Sequence, residues 1–212
     1  APSRGLGDVY KRQVQSSGAP SMATSLQEGK IQHLASVSTI ADGIAVKEPG
    51  VNTFEMCNRY VDEVVTVTDD ETAAAILTLI ERQKLVAEGA GAVSVAAAMF
   101  NKLPIEGKKV VCLVSGGNID VNILNRIISR GLAKNGRACT LILDLDDKPG
   151  QLSGVCNIIA NLGGNVISVV HDRMNPSSHI NGCTLRLELE TRNPEHIGII
   201  KQGLSDSGYH VN

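Results

Sequence analysis

The stretch KVVCLVSGGNID, residues 109–120, decides how the fold is read. Its β-branched and apolar run ends at Val114 and has the near-continuous hydrophobicity of a strand in the middle of a parallel sheet covered on both faces. Ser115, Gly116 and Gly117 follow, and Asn118 opens a polar start to a helix. In open α/β sheets ligands bind beyond the carboxyl ends of the strands, so Ser115 stands where a ligand would be met. Glycines at such a point let backbone approach a flat or charged group. The first N–H groups of the following helix are free to receive one. On these residues alone a plain strand-to-helix turn is the simpler reading, because Ser and Gly are common turn residues.

Working outward, residues 14–135 read as alternating helices and strands, which argues for an α/β domain. Pro20 and Gly29 bracket a short helix over SMATSLQE. STIADG is a loop, FEMCNRY a helix, and VDEVVTVT a valine-rich strand. Thr68 and Glu71 form a T-x-x-E capping box ahead of the helix ETAAAILTLIERQK, in which Ala74, Leu77 and Ile80 share a face. AEGAGAVSVAAAMF predicts a tightly packed, small-residue helix, and IDVNILNRIISRGL an amphipathic one with Gly131 near its end.

After Lys134-Asn135-Gly136 the pattern changes. TLRLELE alternates strictly, as a half-solvated antiparallel strand does. Leu152, Val155, Ile159 and Leu162 make one helical stripe, and Ile197, Ile200 and Leu204 another. The predicted order is βαββαβ, the ferredoxin-like arrangement. Two units are therefore expected, 14–135 and 136–212, with the junction near residues 135–139.

Composition excludes several classes. Hydrophobic residues make up 42% of 212, enough for a packed core. A net charge of -2 implies no basic face, so nucleic acid is not an expected partner. The longest apolar run, Gly89 to Phe100, is too short and too rich in Ala and Gly to span a bilayer. Five cysteines, none in a CxxC pair, suit free thiols in a reducing cytoplasm, and the histidines lack metal-ligand spacing. No metal site is expected. SRGLGDVYKRQ, residues 3–13, resembles the translation of a transposase-type sequencing adapter. Residues 1–13 are accordingly set aside, with native sequence expected to start near Val14 and an amino-terminal part of the gene missing.

IADGIAVK (40–47), LVAEGAGAVSVAAA (85–98) and VSGGNID, in this order, resemble the carboxyl-terminal half of threonine ammonia-lyases. That family uses pyridoxal 5'-phosphate and has the tryptophan-synthase-β-like architecture, fold type II. The resemblance runs from Val14 to about Asn135. It implies that Ser115 faces the pyridine nitrogen of the cofactor, that Gly116 lets backbone lie near the ring, and that Gly43 and Glu88 line the same site. A neutral hydroxyl at that nitrogen leaves the ring less electron-poor than a carboxylate would, which suits β-elimination. Read from the residues, Asp42 equally caps a turn, and Glu88 equally serves as an acid at a helix N-terminus. Some branches of this fold carry a divalent-ion site in the segment matching 15–21. Gln15, Ala19 and Ser21 stand there in place of carboxylates, so that site is not expected. The lysine that anchors the cofactor, in an S-x-K-x-R-G-like context, and the glycine-rich phosphate cradle are absent; Lys47 in AVKEPG has no such context. No catalytic residue is therefore assigned, and the chain alone is expected to be inactive.

DKPGQLSGVCNIIANLGGNV, 147–166, resembles the ACT domain, an amino-acid-sensing module. The resemblance implies an effector amino acid at Gly150, Gln151 and Leu152 and near Asn165, in a site formed between paired copies and hence in a homo-oligomer. The first N–H groups of the helix beginning there can receive a carboxylate. An ACT fold that only mediates assembly is the alternative. HDRMNPSSHINGC is a polar hairpin loop in which His171 and His179 are expected to be solvated. The leading expectation is a fragment of a cytoplasmic, ACT-containing threonine ammonia-lyase. The alternatives are a fragment of a serine dehydratase or racemase, and a non-catalytic amino-acid-binding regulator.

Overall fold

A computed structural model of the chain describes residues 10–174 and 180–211. It divides into two compact units, Ala1–Ile127 and Ile128–Asn212. The division falls inside helix α5 (Val121–Lys134), ahead of the junction expected at residues 135–139. No helix among the described residues is long and apolar enough to cross a membrane.

In the first unit, β1 (Arg12–Ser16) lies parallel to β2 (Glu63–Val67), with Val14 opposite Val65. Arg12 and Gln13, which belong to the leader set aside above, are part of β1, and Arg12 pairs with Glu63 at 2.6 Å. Between the two strands run α1 (Ser21–Glu28), a 3-10 turn at Asp42–Ile44 and α2 (Val51–Tyr60). Helix α3 (Asp69–Thr78) starts at the expected capping box. The Glu71 N–H donates to Thr68 Oγ1 at 3.2 Å, and the Thr68 N–H donates to Glu71 Oε2 at 2.8 Å. The expected continuous helix to Lys84 is instead widened into a π-helical turn at Leu79–Gln83, which ends at Lys84 with φ 59°. Helix α4 (Gly89–Met99) packs on α3 through fully buried alanines, among them Ala75, Ala92 and Ala96.

The expected strand at 109–114 is not a strand here. Its hydrophobicity signals burial on both faces, but a ladder also needs a neighbour. The first unit's sheet, among the described residues, contains β1 and β2 alone. Val111 is 96% exposed and Leu113 79%. The segment is held from one side by α4: Ser94 Oγ donates to the Leu113 carbonyl at 2.8 Å. Helix α5 buries only Ile127, so the apolar face read from its sequence is largely uncovered. Gly131 lies inside α5, and the chain turns instead at Gly136, with φ 65°.

The second unit contains β3 (Ala138–Asp146), α6 (Gln151–Asn161), β4 (Asn165–Asp172), β5 (Gly182–Glu190), α7 (Pro194–Asp206) and β6 (His210–Val211). The strands form one antiparallel sheet in the order β4-β5-β3-β6. Leu141 faces Leu187 and Leu143 faces Leu185 across the ladder. With Leu189, Val155 and Ile159 of α6, and Ile200 and Leu204 of α7, they make a closed core. Each fully buried aliphatic side chain there contributes about 1.5–3 kcal/mol. Thr140, Asp144, Arg186 and Glu188 alternate with the leucines and are exposed, because side chains in a strand point to opposite faces. One buried polar side chain ties the two helices. His196 is 2% exposed; the Arg192 N–H donates to its Nδ1 at 3.1 Å, so Nε2 carries the proton and donates to the Leu162 carbonyl at 2.9 Å.

Candidate functional site

The residues singled out in the first unit come together at the N-terminus of α4. Glu88 is the cap residue of that helix, yet its side chain caps nothing. Its backbone N–H donates to the Gly116 carbonyl at 3.0 Å, and its carboxylate lies against Gly116. Gly116 has φ 69°, and a Cβ there would run into that carboxylate. Glycine is thus required twice over, for the left-handed backbone and for the space. Glu88 Oε1 also lies 3.6 Å from where a Cβ on Gly43 would stand. On the helix itself, Gly91 receives the Ser115 backbone so closely that a Cβ would overlap the Ser115 carbonyl. Ser115 is exposed, and its hydroxyl makes no hydrogen bond among the described residues.

The loop carrying Gly43 is positioned by a residue the sequence reading passed over. Asp69, the first residue of α3, accepts from Thr39 Oγ1 at 2.6 Å and from the Ile40 N–H at 3.1 Å. Thr39 Oγ1 in turn accepts from the Ala41 N–H at 3.1 Å. In sequence Asp69 is merely one of three acids in a first helical turn. Its role shows only once the loop, 29 residues away, folds onto it. Asp42 caps its own turn, its Oδ1 accepting from the Gly43 N–H at 2.8 Å.

This arrangement suits one edge of a flat, nitrogen-containing ring. It presents a free hydroxyl, two glycines that leave the approach open and a carboxylate held beside them. The residues present therefore fit the ring-nitrogen side of pyridoxal phosphate.

In the second unit, Gly150 takes φ 89° and caps α6, as the Pro149-Gly150 turn requires. Gly150, Gln151 and Leu152 line a cavity of about 340 Å³ together with Asp147, His171, Arg173 and Cys183. Asn165 is not in it. It begins β4, at the far end of α6, where its Nδ2 donates to Glu190 Oε2 at 2.9 Å. Within one chain the structure does not bring Asn165 to the other three residues. His171, expected to be solvated, is exposed and lines the cavity, with Nε2 3.6 Å from Asp147 Oδ1. His179 lies outside the described residues. Burial pushes the Cys183 thiol up, and the Asp147 carboxylate adds to this.

Comparison with known proteins places the first unit in a family. The family described as pyridoxal-phosphate dependent enzyme matches residues 7–116. An L-threonine ammonia-lyase of Thermotoga maritima is 48% identical over 198 residues, 93% of this chain and 49% of that protein. One from Geobacter sulfurreducens is 45% identical over the same shares. Among solved structures, threonine deaminase isoform 2 from Solanum lycopersicum is 34% identical and covers 57% of this chain and 34% of that one, with a TM-score of 0.53. Maize serine racemase is 30% identical and covers 60% and 42%, with a TM-score of 0.52. The chain spans about half the length of the curated relatives it matches.

Proposed function

The chain belongs to the pyridoxal-phosphate-dependent enzymes, and from that premise we propose that it is the carboxyl-terminal part of a threonine ammonia-lyase. The whole enzyme would convert L-threonine to 2-oxobutanoate and ammonia. The observation that carries this reading is the convergence on Glu88 of Gly43 and of Gly116, which directly follows Ser115, whose backbone packs on Gly91 and whose hydroxyl makes no hydrogen bond among the described residues. The identity to two L-threonine ammonia-lyases over 93% of the chain supports it. When bound, the cofactor supplies an electron sink for the amino acid's α-carbon. Ser115 would hold its hydroxyl at the ring nitrogen without protonating it fully. Gly116 and Gly43 keep the approach open, and Asp69 holds the loop that carries Gly43 in register. The anchoring lysine and the phosphate cradle are proposed to belong to the half not present in this chain, so the chain alone is inactive.

We read the second unit as a ferredoxin-like ACT module that binds an amino acid at Gly150, Gln151 and Leu152. The cavity beside α6 supports this. Asn165 would be supplied by a second copy in a homo-oligomer, since within one chain it stands at the far end of α6.

A chimera tests the catalytic reading. Residues 14–212 are joined behind the part of the Thermotoga maritima protein that precedes the aligned region. The chimera should release 2-oxobutanoate from L-threonine. The chain alone, treated with pyridoxal phosphate and borohydride, should show no stoichiometric lysine adduct by mass. A stoichiometric adduct on the chain alone, or a chimera that binds cofactor yet yields no oxo acid, refutes the proposal.

A further inference from the structure

The antiparallel register of the second unit extends its apolar layer into a cluster of three donors. Leu141, Leu143 and Leu145 are buried on one face of β3, and the same alternation carries Asp147 to that face just past the strand end. Cys183 lies opposite Leu145, and His171 opposite Leu185, on the same side. Where the leucine layer ends, it is therefore continued by a carboxylate, an imidazole and a thiol. One atom from each of Asp147, His171 and Cys183 lies within 4.8 Å of the others. Cys183 is 2% exposed, while Asp147 and His171 form the open side towards the cavity.

We propose that Asp147, His171 and Cys183 form a binding site for a borderline-soft divalent cation of the Zn²⁺ type. Nitrogen, sulfur and oxygen together select Zn²⁺ over Mg²⁺ or Ca²⁺, which require oxygen alone. Bond lengths of about 2.0–2.3 Å put tetrahedral donors about 3.3–3.6 Å apart, so side-chain movements of roughly 1 Å close the site. Arg173 is already in place as the outer partner of the carboxylate. Its Nε lies 2.8 Å from Asp147 Oδ2 and its Nη2 donates to Oδ1 at 3.2 Å. Each carboxylate oxygen keeps a lone pair, and hydrogen bonds of this kind orient metal-ligating carboxylates. Binding converts the Cys183 thiol to a thiolate and releases its proton to solvent. Three protein ligands leave a fourth position, which opens into the cavity lined by Gly150 and Gln151. The site stands independently of any amino acid bound there.

The test is a titration of the full chain with Co²⁺, after chelator treatment and without amino acids. The expected result is one Co²⁺ per chain, a thiolate-to-cobalt charge-transfer band in the near ultraviolet, and displacement by Zn²⁺. Cys183→Ser should abolish the band, and Cys156→Ser should leave it intact. His171→Ala and Asp147→Asn alter the open rim, so folding survives, and each should weaken binding at least ~10-fold. Absence of the band in the parent chain, its persistence in Cys183→Ser, or unchanged affinity in His171→Ala overturns the proposal.

Discussion

Replacing His196 with alanine removes a buried polar side chain that joins α6 to α7. Two backbone groups lose their partners: the Arg192 N–H, which donates to Nδ1, and the Leu162 carbonyl, which accepts from Nε2. An orphaned polar group costs about 1–3 kcal/mol when fully buried, and both of these bonds are part-buried, so each loss lies toward the lower end. The Asn193 side chain still accepts from the backbone N–H of residue 196, so the helix cap survives. Water entering the space left by the ring recovers part of the loss, and about 2–4 kcal/mol of destabilisation is expected. His196→Leu refills most of the volume without restoring either bond, so it should retain most of that cost. Amide hydrogen exchange of β5 peptides, read by mass spectrometry, reports the opening of the second unit separately from the first. Exchange should speed up about 30- to 700-fold, at one decade per 1.4 kcal/mol. Exchange within about threefold of the parent in both variants would refute the reasoning. The bonds around His196 would then carry no net stability.

Two further outcomes are expected. Burial raises the Glu71 carboxyl, but the Lys102 ammonium and hydrogen bonds from Thr68 outweigh this and hold it below its ordinary 4.5. A carboxyl lowered by folding stabilises above its unfolded value, and the contribution is lost as pH falls through the folded one. Protection of α3 amides should therefore drop below about pH 4.5, and Glu71→Gln should flatten that drop; an unchanged pH profile in the variant contradicts the assignment. Asp69→Ala should free Thr39 and Ile40 and raise exchange across residues 38–44 by about 10- to 100-fold, since hydrogen bonds to a charged group contribute about 1.5–3 kcal/mol. Unchanged exchange there would show that the Gly43 loop is held by other contacts.

Local chemistry made much of this protein legible from its residues. The T-x-x-E box, the Pro149-Gly150 turn and the strict alternation of TLRLELE each depend on near neighbours. All three stand where their spacing puts them. The resemblance of the three ordered motifs implied a shared site for Ser115, Gly116, Gly43 and Glu88, and in the fold Gly116 and Gly43 both lie against Glu88. What the sequence could not decide depends on partners distant along the chain. KVVCLV has the composition of a central strand, but a strand exists only beside another, and its hydrophobicity names no neighbour. Asp69 looks like a helix-dipole acid until residues 39–40 fold onto it. Asp147, His171 and Cys183 share no spacing that reads as a metal motif. They meet only because the register of β3, β4 and β5 places them on one face at the end of one core layer. Sequence determines periodicity, capping and turn geometry because those energies are local, whereas register and sheet partners, which depend on the whole folded chain, determine which side chains meet.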